Sequence, residues 1–238
     1  MEERTLLGTL TGEYFQPVRL HYRVSDRAAV LQRFQQLRCV DHDATRERWV
    51  WLYDHEARRL RFKKSYADLP KHLQPVIIGS FFLRAADKLV LDLRSIERAT
   101  EAILFFDKHL SRSVARVVEA EVVNRLFPIG DAQVTPDSIF DHQASTYIDP
   151  EAAVQRTKDL VAGIAEPHER LRLALEDMQS REKEPLPEIE RFPIHYYEEG
   201  IEGFRNVLRM RQMVALQHFL GNSEYSLYDV LQAMVNRK

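Results

Sequence analysis

The residues able to do chemistry are few and dispersed along this 238-residue chain. Histidine and carboxylate stand together at Asp41-His42-Asp43, Asp54-His55-Glu56 and Asp141-His142. Such neighbours suit metal binding or proton transfer, but none lies in an HExxH, HxH or distal Cys/His pattern, and sequence neighbours often point apart. The first two fall where turns are expected, and aspartate is common there because it bonds local backbone. Asp131, Asp137, Asp141 and His142 share a long aperiodic stretch, and oxygen ligands of that kind suit a divalent cation. Their spacing matches no calcium loop, so a solvent-exposed connector is the favoured reading. Glu199 and Glu202, close to His195, open a helix whose dipole accounts for them without chemistry. Cys39 is the single cysteine. It excludes an intrachain disulfide, fits a reducing compartment and reads as a small apolar residue closing the first helix. No GxGxxG, GxxxxGK[ST] or GxSxG segment occurs, so no catalytic residue, metal or cofactor is assigned.

The cations are better organised than the acids. The net charge of −2 conceals a division. Residues 1–116 carry 21 Lys and Arg against 15 Asp and Glu, whereas residues 117–238 carry 13 against 21. The two halves attract each other and present different fields to partners. Within the basic half, Pro17–Val24 alternates: Val18, Leu20, Tyr22 and Val24 take one side, and Arg19, His21 and Arg23 the other. Arg48–Tyr53 and Arg58–Lys63 read as a hairpin around Asp54–Ala57. In one register Trp49, Trp51, Leu60 and Phe62 form a core face opposite Arg48, Arg59, Arg61 and Lys63. A one-residue slip sets Trp49, Trp51 and Tyr53 beside Arg59, Arg61 and Lys63 instead. Either way Arg59, Arg61 and Lys63 share one side, and with Arg19 and Arg23, and in the first register Arg48, they are expected to form one cationic sheet surface. That surface suits a protein partner or self-association; nucleic acid, held by phosphate contacts and base stacking, is the alternative.

These strands need a frame. Ser25 or Asp26 caps a helix carrying Val30, Phe34 and Leu37 at helical spacing. Val76–Leu83 and Lys88–Leu93 form a second apolar pair, in which Leu89, Leu91 and Leu93 share a face and Lys88, Asp92 and Arg94 the other. Ser95 caps a helix over 96–110. The resulting β-α-β-β-β-β-α order is similar to that of the TATA-binding-protein class of folds, where a curved antiparallel sheet carries helices on one face; the resemblance is one of element order. Val114–Leu126 fits both periods and is read as strand. Residues 128–149 read as a connecting loop. Helices are expected from Pro150 to about Ala165, from Pro167 to Arg181 with Leu171, Leu175 and Met178 on one stripe, from Tyr196 to Leu220, and after Ser226. Glu184–Glu188 reads as a proline-stiffened linker.

The fold expected is therefore α+β: an N-terminal antiparallel-sheet domain over residues 1–127, then a mainly helical part over 150–238 packing on the sheet or on a second subunit. Hydrophobic residues make up 45% and charged residues 29%, the balance of a globular protein. No apolar run nears the roughly 18–20 residues that span a bilayer, and the N-terminus lacks a secretory pattern. A soluble cytoplasmic protein without membrane attachment is expected. Its function reads as non-enzymatic binding or regulation through the basic sheet face and acidic helical region. Nucleic-acid binding and a hydrolase-type Asp/His or Glu/His site are the alternatives.

Overall fold

The computed structural model describes residues 5–236 and has an α+β architecture built on one eight-stranded sheet. In chain order the strands are β1 (Val18–Val24), β2 (Val40–Asp43), β3 (Arg48–Tyr53), β4 (Val76–Ala85), β5 (Lys88–Leu93), β6 (Ala115–Val123), β7 (Thr146–Tyr147) and β8 (Ile189–Pro193). The helices are α1 (Arg27–Gln36), α2 (Ile96–His109), α3 (Pro136–Phe140), α4 (Pro150–Val161), α5 (Pro167–Lys183), α6 (Tyr196–Glu199), α7 (Ile201–Phe219) and α8 (Leu227–Val235). Across the sheet the order is β2-β3-β4-β5-β1-β6-β8-β7. The expected β-α-β-β-β-β-α order is present through α2. The sheet is mixed rather than purely antiparallel, because β7 runs parallel to β8.

Alternation along β1 decides which face is covered. Val18, Leu20, Tyr22 and Val24 are buried with Leu89, Leu91 and Leu93 of β5. Trp51, Phe81, Phe34 and Phe106 join them, with ring centroids 4.7 Å apart for Phe34–Phe81 and 4.8 Å for Phe81–Phe106. The Asp26 and Ser95 side chains cap α1 and α2 as expected, accepting from the N–H groups of Ala29 and Arg98. α7 packs against α2. Gly79 on β4 is required by closeness: a Cβ there would lie 2.9 Å from Leu91 and 3.0 Å from Leu93.

The expected hairpin over 58–63 does not form. Asp54 accepts a hydrogen bond from His55 N–H and another from Arg58 Nε, which winds His55–Arg59 into a short 3-10 turn. Phe62 still reaches the core, edge-on to Tyr53 at 5.0 Å, but from a loop. The strand beside β3 is β2 instead, with Val40 opposite Trp51 and Asp43 opposite Arg48. Arg59, Arg61 and Lys63 consequently leave the sheet.

The second half of the chain also departs from expectation. Residues 128–149 contain α3 and β7. Ile189–Pro193, just past the proline segment, adds β8 beside β6. The long helix is broken at Gly200, whose φ of +80° separates α6 from α7. α4 and α5 pack on each other through polar contacts: Thr157 Oγ1 donates to Asp177 at 2.8 Å and accepts from Arg181 Nη2 at 2.8 Å. The Leu171, Leu175 and Met178 stripe stays exposed. Among the described residues no helix is long and apolar enough to cross a membrane.

Candidate functional site: the open face of the sheet

The face of the sheet away from α1 and α2 carries a polar row built by strand register. Reading across, Ser80 on β4 stands opposite Asp92 on β5, Asp92 opposite Arg19 on β1, Arg19 opposite Glu121 on β6, and Glu121 opposite Arg191 on β8. From Asp92 onward the charges alternate in sign, the favourable arrangement for directly opposed cross-strand pairs. Arg19 forks onto Asp92 at 2.6 and 2.8 Å and reaches Asp141 at 2.8 Å. Burial opposes the Arg19 charge, but the two carboxylates outweigh it and hold its pKa above the usual arginine value. Ser145 Oγ donates to Glu121 at 2.9 Å, and His21 Nε2 lies 3.3 Å from the other oxygen of the same carboxylate. Arg191 Nε donates to Glu119 at 2.9 Å.

α3 crosses this face and divides it into two clefts. Its Phe140 ring lies 5.0 Å beneath the Arg19 guanidinium. Beyond Phe140 a cleft of about 830 Å³ is lined by Arg19, His21, Arg23, Arg84, Lys88 and Arg191, with Asp87, Glu119 and Asp141 among them. Arg84 donates to Asp141 at 2.6 Å. Burial pushes the Asp141 carboxyl up, but Arg84 and Arg19 prevail and keep it below its ordinary value. At the far end, Arg23 stands directly opposite Lys88 on β5 and Arg116 on β6. No carboxylate among the described residues is within ion-pair distance of Arg23 or Lys88, whereas Arg116 turns to Glu198 at 3.5 Å and the Tyr197 ring. Like charges directly opposed across strands are destabilising.

On the other side of α3 lies a cleft of about 440 Å³. Arg46, Arg48, Arg94 and Arg98 line it together with Asp92 and Asp137. Arg48 donates to Asp43 at 3.0 Å and to Ser80 Oγ at 3.1 Å. The opposite wall is apolar: Leu10, Leu73 and Ile77 remain 49%, 38% and 42% exposed there.

Of the six cations expected on one surface, Arg19, Arg23 and Arg48 share the open face, with Arg19 and Arg48 already paired. Arg59, Arg61 and Lys63 do not join them. Arg61 lies on the helical side beside Glu101 and Arg205, Lys63 stacks on Tyr14 at 4.7 Å, and Arg59 is exposed on the 3-10 turn. The stacking platform of the slipped register is absent too, because Trp51 and Tyr53 are fully buried and Trp49 packs against Phe34 and His42. Arg84, Arg94 and Arg191 are additions. For Arg94 the signal was its place on the polar side of the 88–94 alternation; for Arg191 the surrounding prolines hid the strand.

The histidine–carboxylate neighbours serve local structure. Asp41 and Asp54 accept from the N–H groups of His42 and His55, and Asp141 belongs to the arginines. No group of three or more His, Cys, Asp or Glu among the described residues is arranged to hold a metal. Burial, reinforced by Glu56, pushes the Cys39 thiol up to about 12, so it is protonated at neutral pH. Comparison with known protein families, curated proteins and solved structures gives no match.

Proposed function

We propose that this chain is a non-enzymatic binding protein whose open sheet face docks an acidic segment of a partner protein. The observation carrying the reading is the opposed Arg23 and Lys88 at the mouth of the larger cleft, two like charges lacking a carboxylate. An acidic side chain placed between them converts a repulsion into two ion pairs. Arg84 at the rim is already paired with Asp141, so Arg23 and Lys88 are the cations offered to the approach, and such fields chiefly speed encounter and select the partner. Three carboxylates of the larger cleft and the row beside it are engaged, Asp141 and Glu119 by arginines and Glu121 by Ser145 and His21. This favours binding over hydrolysis.

The test is fluorescence anisotropy with a labelled ten-residue peptide rich in glutamate. Saturable binding that weakens as salt rises is expected. The double charge reversal Arg23→Glu/Lys88→Glu, at exposed positions that leave the melting temperature intact, should reduce affinity at least tenfold. An unaltered affinity in that variant, or no binding at low salt, overturns the reading. Tighter binding of labelled DNA or RNA than of the peptide would replace it with nucleic-acid recognition.

A further inference from the structure

The smaller cleft differs in kind from the larger one, because it joins a cationic end to an exposed apolar wall. Isolated exposed apolar residues are ordinary. Here three of them, Leu10, Leu73 and Ile77, come from separate segments and line one concavity. Its volume of about 440 Å³ lies within the range of small-molecule sites, roughly 300–1,000 Å³.

The charges specify the head group. Among the lining residues Asp92 is taken by Arg19, and Arg48 is held by Asp43 and Ser80. Arg98 is 1% exposed, and its Nη2 donates to Thr11 Oγ1 at 2.7 Å. Its Nε has no hydrogen-bond partner, but the buried Glu13 carboxylate 3.8 Å away balances its charge. Arg46 and Arg94 then remain against the single free carboxylate of Asp137. One positive charge is left over. Burial and the neighbouring Arg48 charge lower the Arg94 pKa, and burial lowers that of Arg98 to about 10. An added anion relieves both effects.

We infer that this cleft binds an amphiphilic monoanion, a carboxylate on an aliphatic chain, with the carboxylate on Arg94 and Arg46 and the chain along Leu10, Leu73 and Ile77. The guanidinium fork of Arg94 matches a carboxylate in two parallel hydrogen bonds. The aliphatic chain contributes through the apolar area it removes from water, about 0.8 kcal/mol per buried CH2. A dianion would exceed the single unmatched charge, which favours carboxylate over phosphate. The site is separate from the acidic-segment surface: α3 stands between them, and no lining residue is shared.

Isothermal titration calorimetry with decanoate, kept below its micelle concentration, tests the assignment. Saturable one-to-one binding of decanoate is expected, with acetate, which lacks the chain, and decanol, which lacks the charge, each at least tenfold weaker. Arg94→Gln and Ile77→Ser alter exposed side chains, so the fold should persist, and each should weaken decanoate about tenfold. Arg23→Glu/Lys88→Glu should leave decanoate unchanged, so failure here is distinguishable from failure of the acidic-segment reading. Equal affinity for decanol, indifference to both cleft variants, or no decanoate binding would overturn the inference.

Discussion

The two faces of this sheet are made by the same strands one residue apart, yet they do different work. On the covered face β1 contributes Val18, Leu20, Tyr22 and Val24 to a core of interlocking rings. On the open face it contributes Arg19, His21 and Arg23 to a charged row. The covered face supplies most of the driving force, since burial of large apolar side chains is the dominant favourable contribution to folding. The open face supplies register. A two-residue slip of β1 against β5 would keep Val18, Leu20, Tyr22 and Val24 inward, but it would set Arg19 opposite Val90 or Arg94 instead of Asp92. A buried arginine without its carboxylate is expensive, so the Arg19–Asp92 pair excludes alternatives that hydrophobicity alone permits.

The division is broken most directly on β4, where Phe81 faces the core and Ile77 the smaller cleft. Phe81→Ala should destabilise the protein by about 3–5 kcal/mol, the usual range for emptying a buried aromatic site. Ile77→Ala should change stability by no more than about 0.5 kcal/mol. Urea denaturation of the two variants measures the contrast, and equal losses would show that the faces do not divide the work. Arg19→Met sharpens the comparison from the other side. Removing one partner strands Asp92 in a buried position and should cost about 3 kcal/mol, comparable with a core truncation despite the polar surroundings. Arg19→Met/Asp92→Leu should regain most of that loss. A double variant as unstable as the single one would mean that the ion pair, rather than relief of a stranded charge, holds the strands together.

The sequence makes the covered face legible and the open face only half so. Alternation in Val18–Val24 and Lys88–Leu93, and the capped apolar helix after Ser95, give the core directly, because burial imposes a period. β2 carries one apolar buried residue, Val40, in four, and β8 ends in a proline, so neither has a period to read. The charged row has a further obstacle. Alternation reveals which side Arg19 takes but not its partners, which lie 73 and 122 positions away. The Arg58–Lys63 segment misleads for a local reason: its alternating Leu60 and Phe62 do pack, half-buried, against the core, but Asp54 captures the turn before a strand can form. The two exposed cations that now carry the binding proposal, Arg23 and Lys88, both sit in legible strands. Their direct opposition appears only once β1 is known to pair with β5.

The smallest contrast concerns acid. On the open face, burial acts to raise the Glu121 carboxyl, but His21, Ser145 and Arg19 bring it below its ordinary value, as Arg84 and Arg19 do for Asp141. On α2, which helps cover the other face, burial raises the carboxyls of Glu97 and Glu101, as it does that of Asp92 deep in the open-face row. The consequences have opposite signs. A carboxyl depressed in the folded protein contributes stability above its unfolded pKa, near 3.8 for Asp141, and that contribution disappears as pH falls through the lower folded value. A raised carboxyl is a cost at neutral pH that protonation relieves. Asp141→Asn should therefore lower stability at pH 7 by roughly 1 kcal/mol or less, as for a partly exposed pair, and should flatten the decline below about pH 4. Glu101→Gln should do the reverse, adding a few tenths of a kcal/mol at pH 7 and nothing in acid, where the native carboxyl is already neutral. Urea midpoints between pH 7 and pH 3 read both effects. Parallel pH profiles for the two variants would mean that the acid response is a property of the whole chain rather than of the partners around each carboxyl.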